Sequence, residues 1–191
     1  MFYKIVKNIA GIVLKPFYKM EIYGSENIPV DGNLILCSNH ASNLDPILIS
    51  IALQRQVNWM GKEELFQNNI LSFLLRKLGV FPINRTGTDI KAIKNSLQVL
   101  KEKKVLGIFP EGTRVKEFDP KNVKHGAVLL SVRSKSPILP VYIESNYKIF
   151  NKIKIYIGEP IKYYEDFGKK TSSKQFNLIS QDLLRVIYNL K

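Results

Sequence analysis

Short apolar segments rich in β-branched residues alternate with segments of helical periodicity along most of the chain. Four apolar residues at spacings of three and four predict a helix from about Thr88 to Lys103, and Phe176 to Leu190 shows the same periodicity. Six segments have the composition of strands: 33–38, 56–60, 80–83, 104–109, 138–143 and 153–157. Because hydrophobic strands alternating with helices are typical of covered parallel sheets, we predict an α/β fold with a mostly parallel central sheet flanked by helices.

The first twenty residues predict an amphipathic helix. They contain four lysines and no acidic residue, and on a helical wheel the polar positions occupy an arc of about 120° while the rest is apolar. Pro16 is expected to kink or end this helix. We interpret residues 1–20 as a membrane-contacting helix and residues 21–191 as the globular domain, because the apolar face is wider than one packing contact needs. The alternative is a helix packed on the domain with its lysines in water.

A second apolar segment, Asn69 to Leu78, has only a narrow polar edge. It could join the first helix in a surface that binds the membrane interface. It could equally be an internal helix of the α/β layers. The pattern alone leaves both interpretations open.

Composition and charge narrow the class of protein. A length of 191 residues suits one compact domain, and a net charge of +13 favours anionic partners such as nucleic acid, anionic lipid or an acidic carrier protein. The single cysteine, Cys37, cannot form an intramolecular disulfide, and two histidines are too few for most structural zinc sites. No apolar run reaches 18 residues and we find no signal peptide, so we expect a protein in a reducing, cytosol-facing compartment without a membrane span.

A histidine and an aspartate follow the strand at 33–38. His40 stands just after the strand, and Asp45 precedes Pro46 at the start of an apolar helix, where the pair suits the N-cap and the first helical position. The turn can then bring the carboxylate back to the imidazole, and a carboxylate on one ring nitrogen leaves the other free to act as a general base. The alternative is a capping aspartate beside a surface histidine.

Charged residues also follow three other predicted strands. The segment 109–114 reads Phe-Pro-Glu-Gly-Thr-Arg, in which Arg114 could grip a phosphate and Glu111 could accept hydrogen bonds. Arg85 and Lys62 follow the strands at 80–83 and 56–60. Each of these residues alone could be a solvated charge or part of a turn, but their shared position at strand ends favours one site.

Four ordered blocks between residues 39 and 141 resemble the lysophosphatidic acid acyltransferase family, the 1-acyl-sn-glycerol-3-phosphate acyltransferases and their relatives. The blocks are Asn39-His40 to Asp45, Gly79 to Arg85, Phe109 to Arg114, and Ile138-Leu139-Pro140-Val141. Val115 stands where the family often has serine, and Leu139 where valine or isoleucine is frequent. Neither departure affects a residue that is expected to react.

The resemblance implies an acyltransferase domain over residues 21–191 and the glycerolipid acyltransferase fold. It implies that His40 deprotonates the free sn-2 hydroxyl of 1-acylglycerol 3-phosphate while Asp45 orients the imidazole, and that the oxygen attacks an acyl thioester to give phosphatidate. Acyl-CoA or acyl carrier protein would be the donor, with no metal and no further cofactor, at the cytoplasmic face of an anionic membrane. The implied substrate-binding residues are Lys62, Arg85, Glu111, Gly112, Thr113 and Arg114.

Three other interpretations remain open at this point. The same chemistry could act on glycerol 3-phosphate or another lysolipid. The chain could be an inactive membrane-interaction protein, although His40 and Asp45 argue against this. A basic nucleic-acid-binding module would suit the charge, but the lysines are scattered and no nucleic-acid motif appears, so we expect no nucleic-acid partner.

Overall fold

The computed structural model describes residues 1–84, 87, 89–115, 117–167 and 171–191. Seven strands form one sheet in these residues: β1 (Lys19–Tyr23), β2 (Leu34–Ser38), β3 (Val57–Lys62), β4 (Phe81–Ile83), β5 (Val105–Ile108), β6 (Ile138–Glu144) and β7 (Lys152–Ile157). The helices are α1 (Phe2–Leu14), α2 (Asp45–Ala52), α3 (Asn69–Lys77), α4 (Ile90–Lys101), α5 (Gly126–Ser134), α6 (Tyr163–Asp166) and α7 (Ser173–Tyr188).

The sheet is parallel except at one side. The strand order is β1-β7-β6-β2-β5-β3-β4, and β2 lies between β5 and β6, parallel to both. Strands β3 and β4 continue the parallel part, whereas β7 runs antiparallel to β6 and pairs in parallel with β1. The carboxyl ends of β2, β3, β4, β5 and β6 therefore meet at one edge of the sheet, which is where α/β proteins place their sites.

Apolar cores cover both faces of the sheet. Alternate residues of β2 point to opposite faces: Leu34 and Leu36 join the core under α1 and α2, while Ile35 and Cys37 join the core under α4, α5 and α7. All four side chains are buried. These two cores confirm the predicted α/β fold with its mostly parallel, helix-flanked sheet, and Cys37 is core packing as expected.

The N-terminal helix contacts the domain through a third face, which the helical wheel did not separate from the polar and apolar faces. The hydroxyl of Tyr3 accepts a hydrogen bond from the Val57 N–H at 3.3 Å, and the Lys7 ammonium donates to the Leu53 carbonyl beside α2. The wide apolar face points away from the domain and is exposed at Phe2, Ile5, Ile9, Ile12 and Val13. The helix thus packs on the domain and still leaves its wide apolar face uncovered.

The segment assigned to this helix is longer than the helix itself. The helix ends at Leu14, before Pro16, and Lys19 already pairs with Lys152 as the first residue of β1. Proline lacks the backbone N–H that a continuing helix needs. Residues 1–20 therefore comprise a helix, a short turn and the beginning of an edge strand.

The second apolar segment forms α3 on the outside of the molecule. The Asn68 side chain caps it by accepting from the N–H groups of Ile70 and Leu71, both at 3.0 Å. The side chains of Ile70 and Phe73 are 75% and 60% exposed, and no residue of α3 is buried. The internal-helix interpretation is therefore wrong. Within the part of the chain that the structure describes, no helix combines the length and the apolar character that crossing a membrane requires.

Candidate active site

His40 and Asp45 meet at the carboxyl end of β2. The chain leaves β2 at Ser38, loops over residues 39–44 and enters α2 at Asp45, which places His40 Nδ1 2.9 Å from Asp45 Oδ2. The Asp45 side chain is fully buried, and the His40 side chain is 11% exposed. The two groups that the spacing predicted to pair are in contact, at the edge of the sheet where strands end.

The prediction that Asp45 is the N-cap of α2 is wrong. The N-cap is Leu44, and Asp45 is the first residue of the helix. Its carboxylate turns back into the preceding loop, where Oδ2 accepts hydrogen bonds from the N–H groups of Ala41 and Ser42, both at 2.8 Å. These bonds orient the carboxylate toward the imidazole rather than toward the first turn of the helix.

A fourth donor reaches Asp45 from the loop after β6. The Tyr147 hydroxyl lies 2.6 Å from Asp45 Oδ1, and burial together with this bond raises the pKa of Tyr147. Tyr147 therefore stays protonated, and its hydroxyl donates a hydrogen bond to Asp45 Oδ1. Since an ionised carboxylate only accepts hydrogen bonds, His40 Nδ1 must carry the proton that it shares with Asp45. In the neutral ring, Nε2 then has a free lone pair, and no residue that the structure describes hydrogen-bonds it.

Two aromatic rings support the imidazole. The His40 ring stacks on Phe109 with a centroid distance of 4.0 Å, and Phe109 stacks on Trp59 at 4.8 Å. The Trp59 Nε1 donates to Ser50 Oγ at 3.1 Å, which fixes the end of the stack. A Cβ at Gly107 would lie 2.4 Å from Trp59 Cε3, so only glycine at this position of β5 lets the indole lie flat against the strand. The stack fixes the plane of the imidazole.

The segment that follows β5 holds the backbone of His40 from both sides. Glu111 Oε2 accepts from the His40 N–H at 2.8 Å, and the Val115 N–H donates to the His40 carbonyl at 2.8 Å. The Tyr188 hydroxyl, at the end of α7, donates to Glu111 Oε1 at 2.7 Å. Burial raises the pKa of Glu111, and the hydrogen bonds from Tyr188 and the His40 N–H act against that rise.

Protein groups occupy the Glu111 carboxylate. The residue is only 3% exposed, and both carboxylate oxygens bind protein donors. These bonds tie Glu111 to the backbone of His40, and its expected contact with the substrate stays a prediction. Gly112 makes the tight turn beyond it with a φ of +70°, which favours glycine, and Thr113 and Arg114 then emerge exposed at the sheet edge.

Two of the predicted cations lie on segments beside β2. Arg114 follows β5, the direct neighbour of β2, and precedes Val115, whose N–H donates to the His40 carbonyl. Lys62 ends β3, the next strand along. Lys62 lies 3.7 Å from Glu64 in an exposed ion pair, and the structure gives Arg114 no carboxylate partner among the residues it describes. Arg85, predicted after β4, lies outside the described residues.

Sequence reasoning missed Tyr147, Tyr188 and Asn39. Tyr147 and Tyr188 lie 102 and 77 residues from Asp45 and Glu111, the carboxylates that they contact. Asn39 continues the pairing of β2 with β6 through its side chain, which bonds the N–H and the carbonyl of Ile143 at 2.8 and 3.0 Å. No local pattern marks the two tyrosines, whereas Asn39 stood inside the first motif block.

Other candidate reactive groups lie elsewhere. His125 is exposed at the N-cap of α5, as expected. Cys37 is fully buried, and burial raises the pKa of its thiol. Over the described ranges, no cluster of three or more His, Cys, Asp or Glu side chains has a metal-binding arrangement.

Comparison with known proteins places this site in a family. The model of the Acyltransferase family matches residues 19–144, which include both motif loops around His40. The 1-acyl-sn-glycerol-3-phosphate acyltransferase of Bacillus subtilis (strain 168) is 31% identical, and the match covers 99% of this chain and 96% of that protein. The enzyme of the same name from Streptococcus pneumoniae is 33% identical over 74% of this chain and 53% of its own length.

A solved structure agrees with the fold. The crystal structure of the 1-acyl-sn-glycerophosphate (LPA) acyltransferase PlsC from Thermotoga maritima superposes with a TM-score of 0.75 and 25% sequence identity. The match covers 98% of this chain and 79% of the Thermotoga chain. The likeness extends over nearly the whole chain, so the chain belongs to the 1-acyl-sn-glycerol-3-phosphate acyltransferase family.

Proposed function

We propose that this protein transfers a fatty acyl group from an acyl thioester to the free sn-2 hydroxyl of 1-acylglycerol 3-phosphate, giving phosphatidate. The observation that carries the proposal is the contact of 2.9 Å between His40 and Asp45, in which Nε2 has no hydrogen-bond partner among the described residues. Exposed Arg114 and Lys62 follow or end the strands next in order to β2. The names of the relatives support the choice of acceptor. His40 and Asp45 are the catalytic pair in this proposal.

The reaction follows from the orientation of the imidazole. Nε2 takes the proton of the acceptor hydroxyl as its oxygen attacks the thioester carbonyl, and the buried Asp45 carboxylate offsets the charge on the imidazolium. The tetrahedral intermediate collapses by breaking the bond from carbon to sulfur. The thiolate leaves with the proton that His40 returns, so the enzyme ends in its starting state. A thioester is already activated, so no covalent acyl-enzyme is needed.

Arg114, Lys62 and Arg85 would bind the phosphate of the acceptor. Arg114 is exposed in the segment after β5, and Lys62 is exposed at the end of β3. Arg85, which follows β4 in the sequence, lies outside the described residues. A guanidinium group binds phosphate through two parallel hydrogen bonds, and the nearby Lys62 ammonium adds a point charge. Exposed Thr113 and the backbone at Gly112 directly precede Arg114 in the chain, and in this proposal they contact the glycerol part.

A panel of substrates tests the proposed function. The purified protein is supplied with radiolabelled acyl-CoA or acyl carrier protein in separate reactions, each with lysophosphatidate, glycerol 3-phosphate or a monoacylglycerol without phosphate. We expect labelled phosphatidate from lysophosphatidate with at least one donor. Preferential acylation of glycerol 3-phosphate would contradict the assigned acceptor, and absence of transfer to every acceptor would contradict the proposed function.

Replacing Arg114 with alanine should weaken phosphate recognition. We expect Arg114→Ala to raise KM for lysophosphatidate by about tenfold or more, since a charged hydrogen-bonded contact is lost. Turnover of the unphosphorylated monoacylglycerol should not change. Arg133→Ala is the matched control, because Arg133 is an exposed arginine in the last turn of α5, at the opposite edge of the sheet. Equal kinetic constants for Arg114→Ala and the wild type would exclude the phosphate contact.

We also propose that the protein is peripheral and works at the cytoplasmic face of the cell membrane. Exposed apolar residues on α1 and α3, together with the net charge of +13, support binding to an anionic lipid surface. Both substrates fit this location, because the acyl acceptor is a lipid and the thioester donors are cytosolic compounds.

A further inference from the structure

Tyr147 is fixed in a strained loop directly behind the catalytic pair. Its backbone has a φ of +55°, which is uncommon for a residue with a Cβ. The Tyr147 N–H donates to Ser145 Oγ at 2.9 Å, and the hydroxyl of Tyr18 lies 3.4 Å from the Tyr147 carbonyl. The ring packs against the core under α1 and α2. A tyrosine held from three sides in this way presents its hydroxyl in one direction.

The two oxygens of Asp45 are unequally supported. Oδ2 faces three donors, the His40 Nδ1 and the N–H groups of Ala41 and Ser42. Oδ1 has only the Tyr147 hydroxyl, at 2.6 Å, among the residues that the structure describes. Without that hydroxyl a fully buried, charged oxygen would have no donor, which is costly enough to make the carboxylate rotate, take a proton or admit water.

We propose that Tyr147 is a positioning residue for the catalytic pair, whose hydroxyl holds Asp45 Oδ1 so that Oδ2 faces His40 Nδ1. The kinetic test of this inference, described below, depends on the proposed acyl transfer. The residue acts through Asp45 and does not contact the substrate. Its role is to keep the imidazole in the single tautomer whose Nε2 can accept a proton.

The kinetic test compares Tyr147→Phe with Tyr23→Phe. Phenylalanine keeps the ring and its packing and removes only the hydroxyl. We expect Tyr147→Phe to lower kcat by about tenfold while KM for lysophosphatidate and for the thioester stays unchanged, because substrate contacts are preserved. Tyr23→Phe removes a hydroxyl that donates to the Glu21 carboxylate on the edge strand β1 and contacts neither Tyr147 nor Asp45, so it should retain wild-type kcat. Wild-type kcat in Tyr147→Phe would overturn the proposal.

A spectroscopic test needs no turnover. The chain has two histidines, so nitrogen-15 labelling of histidine gives signals from His40 and from the exposed His125 only. In alkaline buffer the wild-type His40 signals should show the tautomer with the proton on Nδ1, and Tyr147→Phe should show a mixture, while the His125 signals stay the same. A mixture in the wild type, or an unmixed spectrum in Tyr147→Phe, would overturn the proposal. If the wild type transfers no acyl group, the proposed function fails, but these spectra still decide the role of Tyr147.

Discussion

At the scale of single residues, the site depends on a buried carboxylate that is fully hydrogen-bonded. Asp45 has no exposed surface, yet its two oxygens receive four donors. Two of these donors are backbone N–H groups of the same loop, so the spacing from His40 to Asp45 implies them. The Tyr147 donor comes from the loop after β6, so it could be found only from the folded chain.

Glu111 provides a prediction that links pH to stability. Burial raises its pKa above the ordinary value of 4.5, so its protonated form favours the folded state. The resulting stability is fully present below pH 4.5 and is lost as the pH rises through the pKa of the folded state. In Glu111→Gln this titration is absent. The free energy of unfolding of the wild type, relative to that of Glu111→Gln, should therefore decrease as the pH rises.

Urea unfolding of both proteins between about pH 4 and about pH 8 measures this difference. A part of the difference should be independent of pH, about 1 kcal/mol, because the amide has one accepting oxygen where the carboxylate has two, one for the His40 N–H and one for the Tyr188 hydroxyl. A difference that stays constant over the whole range, or that grows in favour of the wild type with rising pH, would contradict the assigned burial of Glu111.

At the scale of elements, neighbouring strands explain why two motifs distant in sequence form one site. Strands β2 and β5 pair in parallel, so the loop with His40 and the turn with Glu111 leave the sheet side by side. Hydrophobic periodicity placed the ends of both strands to within one residue. It did not locate β1, because Lys19 and Glu21 make this edge strand look like a continuation of the polar helix face. The short helix α5 also lacked a clear period over its nine residues.

Helix α1 provides a prediction about membrane binding. Ile12 is 72% exposed on the uncovered apolar face, so Ile12→Asp should hardly change the free energy of unfolding. It should weaken binding to vesicles that contain anionic lipid by about tenfold or more, since an apolar contact with the bilayer is replaced by a charge.

The matched control for α1 is Leu178→Asp. Leu178 is 56% exposed on α7, which packs on the opposite face of the sheet, and the substitution changes the net charge equally. Co-sedimentation with vesicles compares the two variants. If Leu178→Asp weakens binding as much as Ile12→Asp, or if neither does, α1 is not the membrane contact.

At the scale of the whole molecule, the fold class and the contact between His40 and Asp45 were predictable, while the contacts that support this pair were not. Alternating periodicity determines an α/β fold, and strand ends at one edge determine where reactive residues meet. The order of strands is not contained in local patterns, and it decides that Arg114 follows the direct neighbour of β2 whereas Lys62 ends the strand beyond. Local patterns also do not contain the partners of Glu111. Its motif predicted a substrate contact, and in the folded chain its carboxylate accepts hydrogen bonds from the His40 N–H and the Tyr188 hydroxyl.

The most direct measurement of the account is turnover of lysophosphatidate by His40→Ala beside His125→Ala. These are the two histidines of the chain: His40 contacts Asp45, and His125 is exposed at the N-cap of α5. Comparing the two variants shows whether a loss of activity is specific to position 40 or follows from the loss of either histidine. We predict that His40→Ala lowers kcat by about a thousandfold with unchanged folding, and that His125→Ala keeps wild-type kcat. Near-normal formation of phosphatidate by folded His40→Ala would contradict the account.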